Sequence, residues 1–320
     1  MVAIQRNRFK KMTLNFLVNT FKYLFLICVC FIILYPIIMM FFRAFMDRQD
    51  IFDNTIVFFP KHYSLTSIIT AINGLNYFPS LANSIILAIL VAFFQIINSV
   101  MVGYGFARFN FPLKKVLFGL VIFTLVVPPQ LIMSSIFLHF KDFDFFGIIK
   151  SIKGDAGLNL LDSWAPSIML SATGMYIKSG LFIYMFRQSF RAMPIETEEA
   201  ATVDGAGRLR IFAQIALPNT MNVIVTVLLF SFVWQYNDLF FSSLFIKNTN
   251  ILSQKFSVFS QLNPYFLERL GVSITDLSST AMASILIAAA ALLVVFPLIV
   301  IYVIAQRYFV DGLERSGVVG

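Results

Sequence analysis

The chain has 320 residues, of which 59% are hydrophobic and 12% charged, with a mean hydropathy of +0.83. A soluble domain carries roughly 25% charged residues, so these charges cannot cover a globule's surface, and lipid is the chain's main solvent. The formal net charge of +8 on its own suits nucleic acid, but its concentration on one side of the predicted membrane topology excludes that reading.

The N-terminus carries Arg6, Arg8, Lys10 and Lys11 ahead of an apolar run at about 23–42. A secretory h-region spans only about 7–15 residues and ends at a small-residue cleavage site. Arg43 follows here instead, so the run is read as a retained first span. Crossing a bilayer core takes about 20 apolar residues in a helix. The second to sixth segments of this kind lie at about 81–104, 116–137, 164–186, 221–236 and 279–305. The fifth is short, with Asn219 and Asn222 at its start and Asn237 and Asp238 at its end. Unpaired strand edges cannot sit in lipid, so all six are expected to be helices. The predicted fold is an all-α polytopic membrane protein with six transmembrane helices. Residues 1–22 form an N-terminal segment, 23–305 the membrane domain with a loop at 187–220, and 306–320 a C-terminal tail.

Six spans put both termini on one side. That side gathers fourteen Lys and Arg against six Asp and Glu, whereas the opposite side has nine against ten. By the positive-inside rule the termini are cytoplasmic. The external segments 43–80 and 237–277 are long enough to form short helices and dock a partner. Within the last, Asn263, Pro264, Tyr265 and Phe266 are read as a turn at its tip. Cys28 and Cys30, two apart in an apolar run, point away from each other and cannot easily share a metal or a bridge. His62 and His139 are too few and too scattered for a metal site.

Between the fourth and fifth spans lies the most informative stretch. Pro194 suits a first helical position, and Glu196, Glu198 and Glu199 favour the positive end of a helix dipole. Ala200 and Ala201 are strong helix formers with small side chains. Gly205 and Gly207 permit a sharp stop. A second short helix, about 208–216, then runs to Pro218. A short helix with a bare alanine face at the cytoplasmic surface suits insertion into a cleft on another protein. Glu199 and Asp204 offer charge-assisted contacts to basic residues there. On these residues alone, a solvated interfacial hairpin linking two spans is equally open.

The spacing Glu199-Ala200-Ala201, Gly205, then Ile215, Leu217 and Pro218 resembles the EAA loop of bacterial ABC importer permeases. The end of the chain, Gln306 to Leu313 and Gly317 to Gly320, is similar to the smaller permease subunit of maltose-type carbohydrate importers, with Val319 where that family usually has lysine. Tyr35-Pro36, Asn83-Ser84 and Ala107-Arg108-Phe109 with Pro112 agree with it. The resemblance implies a type I ABC importer permease (MetI-like) core whose loop is a coupling helix seated in an ATPase subunit. It implies that Glu199, Ala200, Ala201, Asp204, Gly205, Ile215, Leu217 and Pro218 form that coupling element. It also implies a second homologous permease, two copies of a cytoplasmic ATPase and an extracytoplasmic solute-binding protein. ATP and Mg would be bound by the ATPases and no cofactor by this chain, which would not itself be an enzyme.

Lys178 is the one charge well inside a predicted span, nine residues before Arg187, about 13 Å along a helix. An ionisable group at such depth is a functional residue by default, and lining the solute path is one role. Pairing with a carbonyl, with Asp238 or with the partner permease is the structural alternative. Trp234, Tyr236 and Asn237 close the fifth span. They are solute contacts if they face the path and an interfacial belt if they do not. A secondary transporter would carry buried acids or an inverted repeat, and a membrane enzyme His, Asp and Glu clusters; the sequence shows none of these. It also lacks a Gly-rich Lys-Ser/Thr phosphate loop.

Overall fold

The computed structural model describes the backbone of every residue except 1, 54, 57, 155–156, 262–267, 269–276 and 318–320; side chains are additionally undescribed at 2–14, 52, 153, 277–281 and 307–317. The turn expected at Asn263 to Phe266 and the C-terminal residues Val318 to Gly320 lie outside the described residues.

In chain order the helices are α1 (Val2–Ala44), α2 (Thr66–Leu75), α3 (Tyr77–Arg108), α4 (Lys114–Phe123), α5 (Met133–Lys141), α6 (Ile148–Lys153), α7 (Ala165–Ala172) and α8 (Ser179–Ala192). They continue with α9 (Ile195–Val203), α10 (Arg208–Ile211), α11 (Leu217–Asn219), α12 (Met221–Tyr236), α13 (Phe240–Phe245), α14 (Leu252–Gln261) and α15 (Leu277–Gly317). Among the described residues, β pairing is limited to two single bridges, Met46 with Tyr63 and Phe143 with Leu158. α1 and α15 run unbroken through the expected boundaries near 22 and 306. The chain divides into two compact units, one of Met1–Gly74 with Phe259–Leu293, the other of Leu75–Val258 with Val294–Gly320.

Three described helices are long and apolar enough to cross a bilayer: Asn15–Ala44, Tyr77–Arg108 and Met282–Gln306. They contain or closely match the first, second and sixth expected spans. The fifth, Met221–Tyr236, has the predicted bounds, and is joined at a 73° bend to Arg208–Asn219. The third and fourth segments depart from the expectation of uninterrupted helices. α4 stops at Phe123 and α5 starts at Met133 because Pro128 and Pro129 lack the N–H groups a continuing helix needs. α7 and α8 are separated by residues 173–178, with Gly174 at φ +73° and Lys178 at φ +63°, both in the left-handed region that ends a helix. Six continuous helices therefore give way to three, one bent pair and two interrupted segments.

In the second unit α3 is the central column, packed along α7, α8 and α12. Towards its start it joins a core of Leu87, Val91, Leu170, Tyr176, Phe241 and Phe245. Towards its end it joins a second core of Val100, Tyr104, Phe182, Phe186, Phe190, Ala216 and Val227. α3 and α8 approach closely at Gly103, where an added Cβ would lie 2.6 Å from Phe186 Cβ and 3.1 Å from the Arg187 amide nitrogen.

A polar layer separates the two cores and accounts for the break in the fourth segment. Irregular backbone at membrane depth survives only where protein groups satisfy it. Gln95 and Asn98, three apart on one face of α3, do this for both sides of the gap. Asn98 Nδ2 donates to the Ala172 carbonyl (2.9 Å) at the end of α7. Gln95 Nε2 donates to the Ile177 carbonyl (2.7 Å) and to Ser179 Oγ (3.0 Å) at the start of α8. Ser231 of α12 donates to Gln95 Oε1 at 2.6 Å, and the Tyr176 hydroxyl donates to Gln235 Oε1.

Candidate functional site

Residues 193–220 form a hairpin whose local geometry follows from the sequence. Pro194, with φ −55° and ψ 131°, precedes α9, and Glu196 and Glu198 lie in its first turn. Its far end is a complete Schellman closure: the Ala206 amide donates to the Ala201 carbonyl and the Gly205 amide to the Thr202 carbonyl, both at 3.0 Å. Gly205 sits at φ +82° with no atom within 4 Å of a would-be Cβ. Backbone conformation, not space, demands glycine there. α10 then leads through one π-helical turn, Phe212–Ala216, to α11. Pro218 and Thr220 end this run at the 73° bend.

The expected coupling residues are brought together on this hairpin. Glu199, Ala200, Asp204, Gly205 and Pro218 are exposed, whereas Ala201, Ile215 and Leu217 are half-buried. α9 has no buried residue. Val203 is 89% exposed and Leu209 84%. These two large apolar side chains belong to the outward surface, so that surface is not the bare alanine face the sequence suggested.

The sequence reading also missed the hairpin's anchor. Arg108, at the end of α3, directs Nε to Glu198 Oε1 at 2.8 Å, and the two side chains are only 10% and 12% exposed. Arg108 Nη2 donates to the Met193 carbonyl at 3.0 Å. The Tyr104 hydroxyl donates to Glu198 Oε2 at 3.2 Å. The Tyr104 ring meets Phe190 of α8 edge-on at 5.1 Å and Phe212 of the hairpin at 4.9 Å. Arg208 lies 5.6 Å over the Phe109 ring. Contacts on both strands of the hairpin thus lead to α3 and α8, while the opposite face of α9 stays uncovered. From the sequence, Glu198 reads only as a dipole-favouring acid. Its spacing from the exposed Glu199, about 100° around the helix, was the available signal.

Four residues were expected on a solute path. Lys178 is not inside a helix: it occupies the junction before α8, exposed. Its Nζ lies 5.8 Å over the Trp234 ring, so these two come together. Trp234 in turn stacks on Phe230 at 5.5 Å and Phe182 at 5.7 Å. Tyr236 does not join them, being 1% exposed with its hydroxyl donating to the Val294 carbonyl at 3.0 Å. Asn237 folds back on α12, Nδ2 to the Val233 carbonyl at 3.0 Å. The alternative pairing of Lys178 with Asp238 is absent. Asp238 accepts from the Ser242 amide (2.8 Å), Ser242 Oγ (3.0 Å) and the Phe241 amide (3.3 Å).

Among the described residues no group of His, Cys, Asp and Glu could hold a metal ion. Cys28 and Cys30 are both free and exposed.

The chain is thus a helical protein with three membrane-length apolar helices among the described residues and an exposed hairpin joined to its central column. The family model for the binding-protein-dependent transport system inner membrane component matches residues 96–315, and the chain belongs to that family, the permeases of ABC importers. The chain is 26% identical over 307 residues to the sn-glycerol-3-phosphate transport system permease protein UgpE of Yersinia pestis bv. Antiqua, covering 93% of this chain and 96% of that one. It is 26% identical over 305 residues to UgpE of Escherichia coli, covering 92% and 96%. Among solved structures it resembles a bacterial ABC transporter involved in the import of the acidic polysaccharide alginate. The TM-score is 0.72 and the identity 18%, covering 92% of this chain and 96% of that one. A second structure, the alginate transporter in complex with its pentasaccharide-bound periplasmic protein, matches with a TM-score of 0.56 and 16% identity, covering 93% of each chain.

Proposed function

We propose that this chain is the permease subunit through which a carbohydrate, released by an extracytoplasmic binding protein, crosses the bacterial inner membrane. ATP hydrolysis on separate subunits drives the step. The observation that carries the proposal is the hairpin at 193–220: one face anchored to α3 by Arg108 and Glu198, the other presenting Glu199, Ala200, Val203 and Leu209 to solvent. Two apolar side chains left in water on a hairpin that also exposes Glu199 and Asp204 suit the groove of an ATPase with basic walls. Force applied at α9 reaches the membrane helices through the Arg108–Glu198 contact.

The chain has no phosphate-binding loop of its own, so ATP and Mg belong to two copies of the ATPase. A second, homologous permease completes the path. Both termini and the hairpin are cytoplasmic, in line with the basic excess on that side. The third and fourth segments cross the membrane as interrupted helices, which gives six crossings in all. The carbohydrate class is supported by the relatives, whose named solutes are sn-glycerol-3-phosphate and the polysaccharide alginate. Within the membrane, Lys178 and Trp234 line the path, and Tyr236 serves the core.

The test is copurification. The tagged chain should bring down an ATPase, and Glu199→Lys should abolish that capture without lowering the amount of chain in the membrane. Equal capture by Glu199→Lys and by a Val203→Asp, Leu209→Asp double variant would overturn the assignment of the hairpin.

A further inference from the structure

The gap between α7 and α8 opens onto a cavity of about 260 Å³ lined by Thr124, Pro129, Met175, Tyr176, Lys178 and Ser179 among others. Lys178 lines it at the start of α8, nine residues or about 13 Å of helix before Arg187. A charge at such depth is costly without a counter-charge. Among the described residues Lys178 makes no ion pair and no side-chain hydrogen bond. Its neighbour is the Trp234 face at 5.8 Å, and among the described residues no carboxylate lines the cavity.

Two side chains at the cavity, Lys178 and Ser179, have protons left to give, whereas the Thr124 and Tyr176 hydroxyls already donate, to the Val121 carbonyl and to Gln235. Lys178 Nζ carries three protons and accepts nothing. Ser179 Oγ accepts from Gln95 Nε2 at 3.0 Å, which leaves its own hydroxyl proton to be given away. The first turn of α8, a 14-residue helix, begins at the same point, and its leading N–H groups carry the positive end of the dipole. A neutral sugar presents hydroxyls that need acceptors as well as donors. A carboxylate or phosphate needs donors alone. The volume lies just under the roughly 300 Å³ at which small-molecule pockets begin, enough for one charged group and the ring that bears it.

We infer that this cavity is a recognition site for the anionic group of the transported solute, a carboxylate or phosphate on a sugar-sized molecule, with Lys178 as its cation. The inference rests on the reading of the chain as a solute-conducting permease and adds the solute's charge to it. Trp234, which lies outside the cavity lining, holds the Lys178 ammonium at 5.8 Å when the site is empty.

The experiment uses the whole transporter, assembled with the ATPase that copurifies, in lipid nanodiscs. Glucuronate, inorganic phosphate and glucose are titrated separately while tryptophan fluorescence is read; the chain's tryptophans are Trp164 and Trp234. Glucuronate and phosphate should saturate at concentrations at least about tenfold below glucose. Lys178→Met should weaken both anions by about tenfold or more, to the level of glucose, and Lys178→Arg should restore the anions to within about threefold. Equal affinity for glucuronate and glucose, no saturable binding of any probe, or wild-type anion binding by Lys178→Met overturns the inference. Failure of the permease reading is distinguishable, because it would appear as an absence of copurifying ATPase before any titration.

Discussion

The Arg108–Glu198 contact is the joint between hairpin and membrane helices, and its removal has a calculable consequence. Arg108→Met takes away three things: the 2.8 Å pair with Glu198, the 3.0 Å bond to the Met193 carbonyl, and the cation that balances a carboxylate only 12% exposed. Breaking a buried pair from one side costs about 3–5 kcal/mol, and the slight exposure here places the effect at the lower end. Glu198→Gln keeps an acceptor for the Tyr104 hydroxyl and costs less, about 1–2 kcal/mol, as a charge-assisted bond becomes a neutral one. Measured as a double-mutant cycle by thermal unfolding in detergent, the pair should show a coupling energy of about 2 kcal/mol. That equals a change of roughly 30-fold in the ratio of anchored to detached hairpin. Detachment should leave the outward face of α9 intact. The Arg108→Met transporter should therefore still capture and fire the ATPase, while the ATP consumed per solute moved rises by about tenfold or more. Additive effects of the two substitutions, or an unchanged ratio of hydrolysis to uptake, would refute the idea that force passes through this contact.

Three further outcomes follow from the geometry. Gly205→Val places a β-branched residue at φ +82° and should cost about 1–2 kcal/mol or more; ATPase capture should fall while Gly207→Ala, at φ −69°, leaves it nearly intact. Gln95→Leu leaves the Ile177 carbonyl and the Ser231 hydroxyl without their partner, and a lowered thermal midpoint worth about 1–3 kcal/mol should accompany loss of uptake; a full midpoint would show that other groups satisfy the break. Asp162, on the loop before α7, has its carboxyl held below the ordinary carboxylate range by the Asn248 and Lys247 amides and the Asn248 side chain. Because its folded value is lowered, its contribution is full above the unfolded pKa of about 3.9 and is lost as pH falls through the folded value. The midpoint of the wild type should therefore drop more than that of Asp162→Asn between pH 5 and roughly pH 3, and equal drops would remove this role for Asp162.

The hairpin was largely legible in the sequence because its signals are local. Pro194 before α9, Gly205 at the left-handed closure and Pro218 before the bend each act within a few residues of where they stand. The bounds of α12 were likewise set by flanking amides. The interruptions at 124–132 and 173–178 were not legible as breaks. Hydropathy averages across Thr, Gly and Pro, and the groups that make a gap tolerable in lipid, Gln95 and Asn98, lie 82 and 74 residues away in the chain. For the same reason Lys178 was read as a charge within a helix rather than at the junction of two. The Arg108–Glu198 anchor joins residues 90 apart, and the roughly 100° between Glu198 and Glu199 signals that the two point apart without telling which of them faces inward. Tyr236 was grouped with Trp234 by proximity in sequence, yet two positions on a helix are about 200° apart. One faces Lys178 and the other the core.

The most direct test of the account is solute movement with and without the motor. The chain and its partner permease, reconstituted in vesicles without ATPase subunits, should carry no labelled sugar under an imposed solute, proton or sodium gradient. Adding the ATPases, the loaded binding protein and Mg-ATP should start uptake, and a non-hydrolysable nucleotide should not. Sustained accumulation by the permeases alone, driven by an ion gradient, would contradict the central claim that α9 delivers the driving force.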